Sequence, residues 1–445
     1  MRSAWLALAL AVFVMPCGKA AAQTGTASQP PPSSPQAKAA PAPPPAQYTL
    51  TPEKRQKAIA YSRLRYILYF AGTALSLGIY LLLWRGKIAV AFRNWARCRS
   101  ARHFVQCLIY VPLFLAAASL LMLPLDYYSG FVLEHRFGLS TQGFASWLGD
   151  WGKNFLINAV LGIVLAWIFY GVVRRSPRRW WFYFWLATIP LVLAVLLLEP
   201  YVVEPLFFDF TPLQKTQPEL AGRIEQMLTR AGLEIPPSRI FEMNASSKTK
   251  TVNAYVSGIG ASKRVVVWDN TLRKMDADET LLVLGHETGH YVLHHIPKGF
   301  AVGEVVFLGL FYLGFVAVRR LVERVGPRTG LEGIGDLASL PLVLLVLSVL
   351  VFFASPLLNG VSRYLEHQAD QFGLEVAYGV VPDPNAADIR AFQVLGEEDL
   401  ADPDPDPFIK FWLYDHPPLD ERIRFAATYK PWAEGKPLEL VHPPK

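Results

Sequence analysis

The chain has 445 residues, of which 52% are hydrophobic and only 18% are charged, a composition too apolar for a typical soluble protein of this length. Its net charge of +7 would suit an anionic partner, but the basic residues stand in short loops between apolar runs, where membrane topology explains them better than nucleic-acid binding does. The composition therefore indicates a membrane protein, with the lipid bilayer and no nucleic acid among its partners.

The N-terminal region combines an apolar leader with a long polar tract. Residues 1–22 hold Arg2, an apolar run and three consecutive alanines, the layout of a secretory signal peptide or, if it is not cleaved, of an N-terminal anchor. Residues 23–49 are rich in Pro and Ala and have no apolar periodicity. Such a segment cannot pack a core, so we predict a disordered tether.

Six further apolar segments are long enough to cross a bilayer as helices, at residues 66–84, 104–125, 155–173, 180–198, 300–318 and 337–358. They divide the chain into a four-span region (50–198), an α+β region (199–299), a two-span hairpin (300–358) and a helical C-terminal region (359–445). Glu304 lies within the fifth segment. A carboxylate at that depth must face a cavity or partner helix, or reach the membrane interface.

The loops between these segments predict the orientation of the protein. Lys and Arg concentrate in the loops 85–103, 174–179 and 319–328, and short loops of this kind remain cytoplasmic. Alternation of the spans then places residues 199–299 and the C-terminal region on the periplasmic side of a bacterial inner membrane. The signal-like leader agrees, because its cleavage would leave the tether outside.

The regions outside the spans have a mixed helix and strand pattern. An amphipathic helix is predicted at 215–232, short strands near 239–243, 252–258 and 263–268, and a second helix that starts near 276–278, where acidic residues suit a helix N-terminus. Beyond the sixth span we expect a further helix through residue 370, a loop rich in Pro and Asp at 381–407, and short helices at 408–415 and 419–429.

The helix that starts near 276–278 carries the pattern H-E-x-x-H at positions 286–290. On a helix, His286 and His290 lie one turn apart and can bind one ion, while Glu287 lies beside the open position of the metal. Zinc in such a site lowers the pKa of a bound water, whose proton a carboxylate then removes. The alternative is a buried helix with two satisfied histidines, because residues 281–284 are apolar.

Zinc needs a third protein ligand, and we expect it to be Glu366 on the helix that leaves the sixth span. The two intervening spans form a hairpin that returns the chain to the same membrane face. Asp370 lies one turn later and would orient a ligand imidazole. His294 and His295 remain alternative ligands, and a continuous helix would stack His294 one turn above His290.

These motifs resemble those of the membrane-integral CAAX prenyl proteases, the type I zinc metalloproteases of the gluzincin H-E-x-x-H type. The resemblance covers residues 110–430, and the similar blocks lie at 134–138, 205–207, 211–213, 253–255, 264–272, 286–290, 366–370 and 416–417. It implies a mostly α-helical polytopic membrane protein of about six transmembrane helices that wall a chamber. It also implies a small α+β zincin-like catalytic domain.

The resemblance further implies one Zn²⁺ per chain, held by His286, His290 and Glu366, with Glu287 as the general base. Asn253 and His416 would then contact the scissile peptide.

Two residues also have roles that the resemblance does not supply. The strand that begins near Asn253 would offer an edge to an extended substrate, with side-chain amides to polarise its carbonyl. Arg422 either steadies the site or forms a surface ion pair.

We therefore predict a zinc-dependent endopeptidase that cleaves extended or membrane-proximal peptides, with a role in quality control of membrane or exported proteins. A transporter with Glu304 on its path and a non-proteolytic scaffold are the alternatives. The N-terminal region departs from the eukaryotic family members, which have an additional first span and a catalytic site towards the cytosol. The loop charges of this chain instead favour the periplasm.

Overall fold

A computed structural model describes residues 47–258 and 260–441. The predicted signal peptide (1–22) and nearly all of the predicted tether (23–49) lie outside the described residues. Helices dominate the fold, and six of those described are long and apolar enough to cross a membrane. This confirms the prediction of a mostly helical polytopic membrane protein.

The first four candidate spans precede the sheet. The helices are α1 (Pro52–Arg85), α2 (Ile88–Arg99), α3 (His103–Tyr127), α4 (Phe144–Arg175) and α5 (Trp180–Leu198). Helix α3 continues through a π turn at Tyr128–Val132 into one more helical turn, Leu133–Arg136. Helix α2 lies within the predicted loop 85–103 and buries one face, including Ala89 and Ala96.

The region after α5 contains a small mixed sheet. Its elements are β1 (Phe210–Pro212), α6 (Leu213–Thr216), α7 (Pro218–Arg230), β2 (Ile240–Met243), β3 (Ala254–Ser257), β4 (Arg264–Trp268), α8 (Asp269–Lys274) and α9 (Ala277–Val292). The strand order is β1-β2-β4-β3, with only β2 and β4 parallel. Strand β4 is buried throughout, which suits the apolar run that follows Arg264, whereas β3 forms an edge of the sheet as described.

The remaining helices are α10 (His295–Thr329), α11 (Leu340–Ala377), α12 (Pro384–Glu398), α13 (Pro407–Leu413) and α14 (Leu419–Thr428). The prediction of a loop across 381–407 is wrong because α12 occupies half of it. Asp383 caps the helix, Pro384 takes its first position, and Ile389 and Phe392 are buried. Proline and aspartate residues that suggested a loop therefore stand at the start of this helix.

Helix α11 connects the membrane region to the sheet region. It has 38 residues, so it is roughly 57 Å long at 1.5 Å per residue, which exceeds the ~30 Å hydrocarbon core of a bilayer. Its C-terminal half therefore projects beyond the membrane. This half carries Glu366 and Asp370 and packs against α9.

The fold has two main cores. Tyr80, Phe114 and Trp180 belong to the core between the membrane helices, while a second core joins the sheet to α7, α9, α11, α12 and α14. Tyr48 is part of this second core, and its backbone N–H donates to the Asp420 carboxylate over 3.3 Å. The predicted tether therefore ends earlier than residue 49, since Tyr48 already packs on the folded protein.

Three basic segments meet at one end of the helix bundle. Arg93 of α2 forms a buried ion pair with Asp336, in the connection between α10 and α11. Arg97 also reaches this connection, with 2.8 Å between Nη2 and the Glu332 Oε2 atom. Arg174, at the end of α4, donates from Nε to the Gly335 carbonyl over 3.3 Å. Two of the basic segments on which the predicted orientation rests thus contact this connection. The third, 319–328, is not the predicted loop, because α10 continues through it to Thr329.

Candidate metal and catalytic site

Helix α9 begins where its acidic residues predicted. The Asp276 carboxylate accepts the Glu279 N–H over 2.8 Å, and the Glu279 carboxylate accepts the Asp276 N–H over 3.0 Å. This reciprocal capping box satisfies two backbone donors and contributes about 1 kcal/mol to helix stability. Leu281, Leu282 and Leu284 then bury one side of the helix and fix the direction in which the histidines point.

Three glycines allow α9 and α11 to approach closely. A Cβ atom added to Gly373 would lie 3.0 Å from the His286 backbone nitrogen, and one added to Gly285 would lie 3.1 Å from the Val376 Cγ1 atom. Gly289, within the H-E-x-x-H pattern, similarly faces the Phe372 ring. Because these three residues have no side chains, the helices approach closely enough for the Glu366 carboxylate of α11 to reach His286 and His290 of α9.

The contact brings His286, His290 and Glu366 together. The two histidine Nε2 atoms are 3.2 Å apart, and the Glu366 carboxylate oxygens lie 3.1 Å from Nε2 of His286 and 3.6 Å from Nε2 of His290. All three side chains are buried. Ligand atoms around a tetrahedral zinc ion are roughly 3.3 Å apart, given metal–ligand distances near 2.0–2.1 Å, so these separations fit Zn²⁺.

The remaining atoms of the cluster also fit a metal. Nδ1 of His286 is 2.8 Å from Asp370 Oδ1, and Nδ1 of His290 is 3.1 Å from Nδ1 of His295, so both Nε2 atoms face the centre of the cluster. Both Glu366 oxygens are buried and accept no hydrogen bond of ordinary geometry from the described part of the chain. Two imidazoles and one carboxylate form the donor set of many catalytic zinc sites.

The charges of the cluster make metal and proton binding competitive. Burial by itself lowers the pKa of both histidines. At His286, interactions with the Asp370 and Glu366 carboxylates outweigh burial and raise the pKa to about 10, whereas at His290 burial prevails and the pKa stays below its usual value. A metal ion that binds Nε2 of His286 would have to displace the proton from that nitrogen.

Arg422 makes a buried ion pair beneath the cluster, which excludes the surface role that the sequence left open. Its Nε donates to Asp370 Oδ2 over 2.9 Å and its Nη2 to Oδ1 over 2.5 Å, while the guanidinium carbon lies 4.2 Å from the centre of the Phe392 ring. This bidentate pair holds the Asp370 carboxylate against His286. Asp370 thus lies in contact with the ring of His286, and its predicted role of orienting this imidazole stays a prediction.

Asp388, on α12, is a buried acid that the sequence did not point to. Desolvation and the nearby negative charge of Asp370 raise its pKa to about 8, although Arg422 and His286 act in the opposite direction. Nothing in the local sequence distinguishes Asp388 from the other acidic residues between 381 and 407. Only the packing of α12 against α9 and α14 places it there.

Two more of the predicted site residues lie at the cluster. The His416 ring is half-exposed, with Nε2 3.1 Å from Glu366 Oε2 and Nδ1 2.8 Å from Asp415 Oδ1. Burial lowers the pKa of His416, but the charges of Glu366 and Asp415 outweigh it and raise the pKa. Glu287 is half-buried, and its carboxylate forms no ion pair or hydrogen bond with another described residue, so it remains available.

Asn253 is placed next to the site without touching the cluster. It immediately precedes β3, and its backbone is held by Thr271 and by the Trp268 N–H. Strand β3 packs against α9, and Tyr291 of α9 donates its hydroxyl to the Gly258 carbonyl after β3 over 2.9 Å. Among described residues, no hydrogen bond links the Asn253 side chain to the histidines or to Glu366.

The alternative ligands His294 and His295 are not in the ligand cluster. The expectation that His294 stacks above His290 is wrong, because α9 ends at Val292 and His294 takes a left-handed backbone conformation with φ 58°. His294 is exposed, whereas His295 is 2% exposed and contacts His290. Glu304, further along α10, lines an apolar cavity between the membrane helices.

Family models match both halves of the chain. Residues 214–430 match Peptidase family M48, and residues 35–209 match the CAAX prenyl protease N-terminal region, described as five membrane helices. Within residues 47–209 the structure has four long apolar helices and the shorter α2.

Individual proteins show the same similarity. The Bacillus subtilis (strain 168) protein named Uncharacterized metalloprotease YhfN is 35% identical over 377 residues, covering 85% of this chain and 86% of the relative. A CAAX prenyl protease 1 homolog of Arabidopsis thaliana is 32% identical over 309 residues, covering 68% and 69%. The crystal structure of S. mikatae Ste24p superposes with a TM-score of 0.73 at 24% identity, over 87% of this chain and 92% of that one.

Proposed function

The chain belongs to peptidase family M48 and is a multi-pass membrane metalloprotease, and from this premise we propose that it is a zinc-dependent endopeptidase. One Zn²⁺ ion would be held by His286, His290 and Glu366. The observation that carries the proposal is the set of separations of 3.1, 3.2 and 3.6 Å between their inward-facing atoms. When bound, zinc lowers the pKa of a water molecule and polarises a carbonyl group.

The residues around the ion have separate tasks in this proposal. Glu287 accepts the proton of the attacking water and passes it to the leaving amine, a role for which its unpaired carboxylate is suited. His416, held by Asp415, donates a hydrogen bond to the oxygen of the scissile carbonyl as negative charge develops there. Asp370 and Arg422 keep His286 in the orientation that directs Nε2 to the metal.

Strand β3 is the proposed docking edge for the substrate. It stands at the end of the sheet, next to α9, and an extended peptide can add to its free edge through main-chain hydrogen bonds. Asn253, at the start of β3, would bind the substrate backbone near the scissile bond. Extended or membrane-proximal peptides are therefore the proposed substrates, since a folded protein offers no free strand to this edge.

The proposed location is the inner membrane of a bacterium, with the catalytic side in the periplasm. The basic segments between the spans, which include Arg93 and Arg97 on α2 and Arg174 at the end of α4, meet at one end of the bundle, and short basic segments of this kind remain cytoplasmic. The metal cluster lies away from that end, on α9 just before the start of α10 and on the C-terminal half of α11. Quality control of membrane or exported proteins is the role that fits this placement.

Substitution of Glu287 tests the mechanism. In the purified full-length protein, Glu287→Gln should reduce kcat for peptide cleavage by about 10²–10⁴-fold, the usual contribution of general acid–base catalysis. Zinc content, measured by mass spectrometry, should stay near one ion per chain because Glu287 is not a ligand. Glu225→Gln on the exposed face of α7 is the matched control. Full activity of Glu287→Gln would reject the mechanism, and absence of zinc from the active protein would reject the metal assignment.

The substrates can be sought with the same variant. Protein fragments in the membrane, the periplasm and the cytosol would be compared between cells that carry Glu287 and cells that carry Glu287→Gln. Fragments found only with Glu287 would identify substrates. Exclusively cytosolic fragments would contradict the proposed periplasmic side.

A further inference from the structure

The Nδ1 atoms of the two proposed ligand histidines face different kinds of partner. Nδ1 of His286 faces the Asp370 carboxylate, which Arg422 holds in place. Nδ1 of His290 instead faces another ring nitrogen, Nδ1 of His295, at 3.1 Å. Metal-ligating histidines almost always donate their second N–H to a carboxylate, a backbone carbonyl or water. A buried imidazole in that position therefore needs its own explanation.

The contact arises from the break between α9 and α10. On a continuous helix, a residue five positions after His290 would point roughly 140° away around the axis, at 3.6 residues per turn. His294 interrupts the helix with φ 58°, and α10 starts at His295 in a new direction. The His295 ring is thereby 5.1 Å from the His290 ring, centre to centre, and packs edge-on against it at 70°.

Two ring nitrogens at hydrogen-bond distance must share one proton. If His290 binds a metal through Nε2, the proton stands on Nδ1 of His290 and Nδ1 of His295 is the acceptor. His295 then carries its own proton on Nε2. That nitrogen is buried beside the side chain of Gln368, with no hydrogen bond of ordinary geometry in the described residues.

We propose that His295 is a positioning residue that accepts the Nδ1 proton of His290 and thereby directs Nε2 of His290 to the metal. This inference rests on the proposed zinc site and deepens it. His295 neither binds the ion nor contacts the substrate. Loss of such a supporting hydrogen bond typically weakens metal affinity by about 10–100-fold.

Zinc affinity of three variants tests the proposal. The zinc dissociation constant of the full-length protein in detergent would be measured by chelator competition. His295→Leu removes the acceptor and should weaken binding by about 10–100-fold. His295→Asn places an amide oxygen where Nδ1 now stands and should restore most of the affinity. His294→Asn is the matched control, because His294 is exposed and Asn tolerates its left-handed backbone, so its affinity should equal that of the unmodified protein.

Additional measurements separate positioning from folding. The cobalt(II) form of His295→Leu should show altered visible absorption bands, whereas that of His295→Asn should resemble the unmodified protein. If His295→Leu does not fold, the zinc affinities of His295→Asn and His295→Gln are compared instead. The Gln amide extends beyond the position of Nδ1, so only the Asn variant should retain affinity.

Three results would overturn the inference. Unchanged zinc affinity of His295→Leu would reject the role of His295 while leaving the zinc site intact, and so would equally weak binding by the Asn and Leu variants. Failure of the unmodified protein to bind zinc would instead reject the proposed function, and the role of His295 with it.

Discussion

Asp370 shows how single residues support the candidate site. Its carboxylate accepts two hydrogen bonds from Arg422 and contacts Nδ1 of His286. The spacing of Glu366 and Asp370 by one helical turn was sufficient to predict that both lie on the same face of their helix. The partner Arg422 follows 52 positions later, and its buried location depends on the packing of α14, which no local pattern reveals.

Removal of the Asp370 carboxylate should therefore be costly. Asp370→Ala leaves Arg422 buried without its partner, and such loss destabilises proteins by about 3–5 kcal/mol. Asp370→Asn keeps the volume and one acceptor, so it should destabilise less, while both variants should bind zinc more weakly. Denaturant unfolding and chelator competition would measure the two effects. Equal stability of the Ala variant and the unmodified protein would contradict the buried ion pair.

Ionisation of the buried Asp388 should make the stability of the folded protein depend on pH. Burial and Asp370 raise its pKa to about 8 in the folded protein, above the value near 3.8 of a free side chain. A raised acid pKa stabilises the fold while the group is protonated, and this stabilisation is lost as the pH rises through about 8. Asp388→Asn cannot ionise, so its apparent melting temperature relative to the unmodified protein should increase between pH 5.5 and pH 9.

An exposed aspartate provides the control for this experiment. Asp404 lies in the loop before α13 and is exposed, so Asp404→Asn should shift the melting temperature equally at both pH values. A relative melting temperature of Asp388→Asn that falls or stays constant as the pH rises would show that Asp388 is already ionised in the fold.

At the scale of elements, the crossing of α9 and α11 assembles the metal ligands. Both helices were predicted, and α9 starts where its capping residues indicated. Nothing in the sequence distinguishes the glycines at the crossing, because an isolated glycine in a helical pattern can have several structural roles. Their function is evident only when the facing helix is present.

A methyl group added at this helix crossing should move Glu366 away from the two histidines. Gly373→Ala would place a Cβ atom 3.0 Å from the His286 backbone, which cannot move without shifting α9. Overpacking of this kind costs about 1–3 kcal/mol, and we expect weaker zinc binding as well. Gly222→Ala on α7 is the matched control, since no atom lies within 4 Å of its added Cβ, and it should stabilise the helix by about 0.5–1 kcal/mol. Undisturbed stability and zinc affinity of Gly373→Ala would show that the crossing is looser than described.

Helix α12 shows the limit of composition as a guide to elements. Its proline and aspartate at positions 383–384 indicated a loop, yet they form a helix start. The short strand β1 was missed because its three residues include a proline. In both cases tertiary packing outweighs weak local preferences.

At the scale of the whole molecule, the orientation in the membrane is the main prediction. A reporter enzyme that is active only in the periplasm, fused to the C-terminus, should be active in cells. The same reporter fused after Ser176, between α4 and α5, should be inactive, because this basic turn is predicted to be cytoplasmic. A fluorescent reporter that folds only in the cytosol should give the opposite pattern. Activity reversed at both positions would mean that the catalytic side faces the cytosol.

Local patterns in the sequence predicted the class of the protein, the six apolar helices that the structure describes, the start of α9 and the two histidines proposed as zinc ligands. These features depend on local periodicity and on a motif whose spacing matches one helical turn. The tertiary structure decided which distant residues surround that motif: Arg422 and Asp388 below the cluster, the glycine crossing, and His295 behind His290. H-E-x-x-H specifies two ligand side chains on one helix, but their supporting partners come from packing between segments far apart in the chain.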